Sequence, residues 1–115
     1  MRALPLFVAA LLLTGVAAAD NIRGDSIVCH AVARDATRYA AEVRDARAVP
    51  WNEFVPFLES SMLEAMGGPG VYIQDKSDVA LLLETYKAMW ASKKEPMDIY
   101  NTIMAACVAK KKKLF

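Results

Sequence analysis

The sequence is poor in the residues that most often carry catalysis or bind metals. Its 115 residues include one histidine, His30, and two cysteines, Cys29 and Cys107. A structural zinc site takes about four cysteine and histidine ligands, so these side chains are too few for one. The run Gly67-Gly68-Pro69-Gly70 is not a phosphate-binding loop, because the lysine and helix that complete that motif do not follow it. The sequence therefore argues against a structural zinc site and against a glycine-rich phosphate-binding loop.

The adjacent pair Cys29-His30 is the one arrangement that suggests a nucleophile and its base. On a helix, neighbouring residues point about 100 degrees apart, so the two side chains do not meet. We therefore expect no catalytic residue, no enzyme activity, no metal and no cofactor. A haem held by His30 and an axial methionine is an alternative that no motif specifies. The methionines that follow the N-terminal segment are Met62, Met66, Met89, Met97 and Met104, most of which lie on predicted core stripes.

Positive and negative charges nearly balance over the whole chain. The formal net charge of +1 becomes zero without Arg2, so we expect no nucleic-acid partner. In the first predicted helix the charged residues alternate in sign, as on a solvated face, and no paired-acid site is implied. These residues are Arg34, Asp35, Arg38, Glu42, Arg44, Asp45 and Arg47.

The N-terminal residues 1–19 have the order of a secretory signal peptide. Arg2 supplies the first charge, an apolar run extends from Leu4 to Leu13, and Val16 to Ala19 form a small-residue cleavage site. An uncleaved membrane anchor is the alternative, but the run is shorter than the about 20 residues that cross a bilayer. We predict cleavage near Ala19 and export, to the periplasm or the medium, with residues 20–115 as a single helical domain.

The exported part shows apolar residues at three- and four-residue steps, the spacing of one helix face. The first such stretch begins at Ser26, where Asp25 or Ser26 can cap it. It ends near Ala48, because the residue before Pro50 disfavours helical angles. Its predicted inward stripe is Val28, Val32, Ala36, Tyr39, Val43 and Ala46.

Three further helices are bounded by proline, glycine and serine. The second begins at Trp51 and ends at Gly67, with a late start or a kink expected at Pro56. Ser77 is the predicted cap of the third, and Pro96 opens the fourth. We therefore predict an all-α fold, a small antiparallel four-helix bundle.

The two cysteines agree with this bundle. Cys29 lies one turn into the first helix and Cys107 near the end of the fourth, which places both at the same end of an up-down-up-down arrangement. An even cysteine count in a small exported chain favours a disulfide. The bond would close a loop of 78 residues.

Two segments outside the helices are candidate contact surfaces. Val71, Tyr72 and Ile73 place apolar side chains on the connection between the second and third helices, where polar residues are usual. They either cap the bundle or bind a partner protein. The basic tail Lys110–Phe115 either frays as a helix end or contacts anionic lipid or an acidic partner.

The order of the key residues resembles that of a broad set of small exported helical proteins of proteobacteria with one cysteine pair. Cys29 is followed by an alanine-rich helix to Arg44-Asp45, and then by Pro96, Tyr100 and Cys107. This resemblance implies an exported helical domain and no particular activity. The acid-stress periplasmic chaperones are similarly small and helical, but their cysteines lie closer together.

These observations favour a non-enzymatic periplasmic protein that binds another protein, with a role in envelope stress. An inhibitor or immunity protein against an envelope enzyme or toxin is the alternative, because such proteins are also small, exported and disulfide-linked. A cofactor-binding bundle ranks third. The sequence pattern does not specify an oligomeric state.

Overall fold

The computed structural model describes residues 22–115, which form an all-α bundle. The predicted signal peptide and its cleavage site near Ala19 lie outside the described residues. None of the helices within residues 22–115 is long and apolar enough to cross a membrane. The helices are α1 (Ser26–Tyr39), which continues into a π-helical segment (Ala40–Asp45), α2 (Trp51–Ala65), α3 (Lys76–Ser92) and α4 (Pro96–Val108).

The bundle consists of two helix pairs. α1 packs along α4, α2 packs along α3, and the π-helical segment contacts α3. A disulfide joins Cys29 of α1 to Cys107 of α4, with their Cα atoms 5.6 Å apart and both residues fully buried. The predicted four-helix fold and its disulfide are therefore confirmed. The carbonyl oxygen of Ile22, also fully buried, lies against both sulfurs and helps to cover the bond.

Aspartate side chains cap the N-termini of α1 and α3. Asp25 accepts hydrogen bonds from the first turn of α1, as predicted. The prediction of Ser77 as the cap of α3 is wrong, because Asp75 occupies that position and forms a capping box with Asp78. The Asp75 carboxylate accepts from the backbone N–H groups of Ser77 and Asp78 and also from the Ser77 hydroxyl. A carboxylate has enough acceptor sites for all three donors.

The first helix ends earlier than predicted. The π-helical segment stops at Asp45, and Ala46, assigned to the inward stripe, is exposed. A π-helical turn holds more residues than an α-helical turn and so shifts the faces of the residues that follow it. The predicted end, Ala48, lies outside the helix with a left-handed φ of 55°. α2 begins at Trp51 and includes Pro56, so the late start considered for it is not observed.

The π-helical segment brings Arg44 to the C-terminal end of α3. The guanidinium donates to the carbonyl oxygens of Met89 at 3.0 Å and Lys94 at 2.5 Å, and to both carboxylate oxygens of Asp45. Its side chain is only 8% exposed, so its assignment to a solvated face is wrong. The carbonyl groups at a helix C-terminus lack partners within the helix and carry partial negative charge, which Arg44 satisfies.

The C-terminal segment returns onto the bundle. α4 ends at a turn in which Lys110 has a left-handed φ of 58°. Beyond it, Leu114 is fully buried, and Phe115 packs against the core with the Lys94 ammonium 5.8 Å from its ring centre. Fraying of Lys110–Phe115 is therefore not observed. The apolar end of the tail is occupied in the core, while its four lysines are exposed.

Reduction of the disulfide is expected to destabilise the protein strongly. The bond closes a 78-residue loop, which in the chain-entropy model contributes about 4 to 5 kcal/mol to the free energy of unfolding. Thermal melting with and without reductant measures the change. A Cys29→Ala/Cys107→Ala variant should melt like the reduced protein and should not respond to reductant. Two reactive thiols in the native protein would contradict the expectation.

Replacement of Arg44 by Met should lower the free energy of unfolding by about 1 to 3 kcal/mol. The methionine keeps the apolar stem but removes the charged donor from the part-buried carbonyl of Met89, which keeps the Ser92 hydroxyl, and from the exposed carbonyl of Lys94. Arg47 is exposed close by and provides the matched control, Arg47→Met, with an expected change below about 0.5 kcal/mol. Urea denaturation measures the free energy of unfolding of both variants. Equal losses would show that Arg44 does not stabilise the protein more than an exposed arginine does.

Candidate functional site

The connection between α2 and α3 is an ordered loop closed by its own backbone. Gly67 and Gly70 have φ angles of 77° and 74° in two consecutive turns, each closed by a backbone hydrogen bond. Glycine adopts such left-handed angles without the steric cost of a Cβ atom. The N–H of Gly67 also donates to the carbonyl oxygen of Ile73 at 2.8 Å. The loop therefore holds Val71, Tyr72 and Ile73 in defined positions.

The three apolar residues of this loop have different environments. Ile73 is 6% exposed and belongs to the core. Val71 and Tyr72 are half-buried, because they pack against the edge of the core and keep part of their surface in solvent. All three thus cap the bundle, and only Val71 and Tyr72 offer surface for a contact with a partner.

Val71 and Tyr72 form one wall of a surface groove, termed here the α1–loop groove. Its other wall is the start of α1, with Ile27, Val28 and Ala31, and its volume is about 340 Å³. Ile27 is 80% exposed, the highest value among the large apolar residues that are exposed in the described chain. Sequence reasoning missed Ile27, although its position outside the inward stripe of the first helix is a signal that could have found it.

A second cavity, of about 230 Å³, lies behind Tyr72 among α1, α2, α3 and the loop. The Tyr72 hydroxyl donates to Asp35 Oδ2 at 2.7 Å. The Tyr86 hydroxyl, fully buried, donates to the Tyr72 oxygen. The ring of Tyr39 meets the Tyr86 ring edge-on, with centroids 5.6 Å apart. These four residues are termed the tyrosine cluster.

Burial controls the protonation of this cluster. It raises the pKa of Tyr72 and Tyr86 well above the ordinary value, and the hydrogen bond to Asp35 adds to the shift of Tyr72. Burial and the Asp35 charge also raise the pKa of Tyr39. The phenols are therefore neutral at ordinary pH. Arg38 approaches the other carboxylate oxygen of Asp35 at 3.5 Å from the solvent side.

His30 lies on a different part of the bundle. Its Nδ1 atom is 2.6 Å from the hydroxyl oxygen of Tyr100, so the pair links α1 to α4 by a hydrogen bond. The neighbouring Cys29 is in the disulfide. Across residues 22–115, no group of three or more His, Cys, Asp or Glu side chains is placed to hold a metal ion.

Comparisons with known proteins give no match: no protein-family model, no curated protein and no solved structure is similar to this chain. Function therefore rests on the geometry of the α1–loop groove and the tyrosine cluster. The resemblance to small exported helical proteins stays a prediction.

Alkaline pH is expected to unfold the protein through the tyrosine cluster. Because the pKa values of Tyr39, Tyr72 and Tyr86 are raised, the folded state keeps protons that the unfolded chain releases from about pH 10. This contribution to stability is complete below that pH and is lost above it, by up to about 1.4 kcal/mol per pH unit for each phenol. Helix content and tyrosinate absorbance should change together.

The control for this titration is Tyr72→Phe, which keeps the ring and removes one titrating hydroxyl. The free energy of unfolding of this variant should fall less steeply as the pH rises. At neutral pH it should already be lower by about 1 to 3 kcal/mol, because the hydrogen bond to Asp35 is lost. Ionisation of all tyrosines in a protein that keeps its full helix content would show that the cluster does not limit alkaline stability.

Proposed function

We propose that this protein is a non-enzymatic, exported protein of the periplasm that binds another protein through the α1–loop groove, with a role in envelope stress. The observation that carries the proposal is Ile27, which is 80% exposed beside the half-buried Val71 and Tyr72. Apolar and aromatic side chains that are exposed together favour a contact with another macromolecule.

Both walls of the groove are held in place before any partner arrives. On one side, Ile27 lies two residues before Cys29, which the disulfide fixes to α4. On the other side, the ring of Tyr72 is held by its hydrogen bond to Asp35 and by the closed loop. Binding therefore loses little conformational entropy, which favours affinity in a small interface.

The shape of the groove suits an apolar side chain of the partner. Such a side chain would insert between Ile27 and Tyr72, as an anchor residue fills a pocket at the centre of an interface. Gln74 also lines the groove and supplies a polar group at its rim. A partner segment with one or more exposed aliphatic or aromatic residues fits this arrangement.

Export is supported by the chemistry of the cysteines and by the N-terminal sequence. The Cys29–Cys107 disulfide is compatible with an oxidising compartment, and residues 1–19 have the pattern of a signal peptide. Secretion into the medium would present the same groove to a different set of partners.

A photo-reactive amino acid at position 27 tests the groove directly in cells. With the reactive group in place of Ile27, we expect covalent adducts with envelope proteins. The matched control carries it in place of Phe57, which is 74% exposed on α2, away from the groove, and should give at least several-fold fewer adducts. Immunoblots of both variants, normalised to the amount of protein, provide the measurement.

The number of adducts separates two kinds of binding protein. Several unrelated adducts indicate a chaperone-like role, whereas one dominant adduct indicates an inhibitor or immunity protein. In either case Tyr72→Ala should reduce the adducts formed at position 27. Equal adduct formation at positions 27 and 57 would contradict a contact through the groove.

A further inference from the structure

The cavity within the tyrosine cluster has the lining of a site for an organic cation. Its one charged lining residue is Asp35, and its aromatic lining residues are Tyr39, Tyr72 and the almost fully buried Tyr86. No lysine, arginine or histidine of the described chain lines the cavity. A carboxylate beside aromatic rings attracts a cation through its charge and through the negative ring faces.

The hydrogen bonds in the cluster narrow the kind of cation. The Tyr86 hydroxyl donates a hydrogen bond to Tyr72, and the Tyr72 hydroxyl donates one to Asp35 Oδ2. Among the residues that line this open cavity, Asp35 is the one charged acceptor for the three N–H donors that a primary ammonium group brings. A quaternary ammonium group brings none, and its methyl groups suit the apolar side chains of Leu58 and Met62, in a lining whose other polar side chain besides the tyrosines is Ser61.

The size of the cavity agrees with a small cationic group. Pockets for drug-sized ligands measure about 300 to 1,000 Å³. At about 230 Å³, this cavity suits a headgroup rather than a larger molecule. Its Asp35 side chain is 19% exposed, so the carboxylate is partly shielded from water and its attraction for a cation is less screened than at the surface.

We propose that this cavity binds a trimethylammonium group, with Asp35 as the counter-charge and the rings of Tyr39, Tyr72 and Tyr86 as its walls. Two exposed arginines compete with this ligand, since the guanidinium groups of Arg38 and Arg34 lie 3.5 Å and 3.9 Å from Asp35 Oδ1. The site is distinct from the α1–loop groove, although Val71 and Tyr72 line both. The proposal therefore does not rest on the proposed function.

Titration with choline chloride, followed by backbone amide NMR, tests the site. We expect saturable shifts centred on Asp35, Tyr72 and Ile73. The uncharged isostere of choline, with a tert-butyl group in place of trimethylammonium, should bind at least about tenfold more weakly, because it lacks the charge. Sodium chloride at matched concentrations controls for ionic strength.

Two substitutions should change choline affinity in opposite directions. Asp35→Asn removes the counter-charge and should weaken binding at least about tenfold. Arg38→Gln removes the nearer of the two competing cations and should tighten binding about twofold to fivefold, the range of an exposed ion pair. Arg47→Gln, at an exposed arginine away from the cavity, is the matched control and should leave the affinity unchanged.

Each result decides the proposal. Equal affinity for choline and its isostere would show an apolar cavity without cation selectivity and would overturn it. So would shifts no larger than those with sodium chloride. If the melting curve shows that Asp35→Asn does not fold, the affinity of the isostere and the choline affinity of Arg38→Gln still test the proposal. Ile27→Asp should leave choline binding intact, which separates this site from the α1–loop groove.

Discussion

The covalent bond between Cys29 and Cys107 is the constraint on which the rest of the structure depends. It joins the first helix to the last, and so places the start of α1 and the end of α4 at one end of the bundle. A chain of this size buries a small core, and a long closed loop in the unfolded state offsets part of the entropy lost on folding. The same bond holds Ile27, the most exposed wall of the α1–loop groove, at a defined position.

The second helix pair is attached to the first by polar groups as well as by apolar packing. Arg44 connects the π-helical segment to the end of α3, and the Tyr72–Asp35 hydrogen bond connects the loop to α1. Between them, Phe54 bridges the two pairs, stacking on Trp90 at 4.9 Å and meeting Tyr39 at 5.4 Å. Directional bonds at both ends of an aromatic layer favour one arrangement of the helix pairs over other compact packings.

Tyr72 is the central residue of the loop, because it lines both the α1–loop groove and the cavity within the tyrosine cluster. Its hydroxyl is bound to Asp35, and its pKa is raised by burial, so the ring is held by a neutral donor at any ordinary pH. A residue held in this way is well suited to be a binding wall, since its conformation is set before a ligand or a partner arrives.

The sequence by itself determined the helices, most of the inward stripes and the disulfide, because periodicity, proline and glycine positions and the cysteine count are local or nearly local signals. It also pointed to Val71, Tyr72 and Ile73 as unusual apolar residues on a loop. Only the tertiary structure decided that Arg44 is buried, that Leu114 returns to the core, and that Ile27 faces the groove. The first reason is that a π-helical turn changes the direction of later side chains without altering the hydrophobic pattern of the sequence. The second is that the grouping of Asp35 with three tyrosines depends on how separate helices pack.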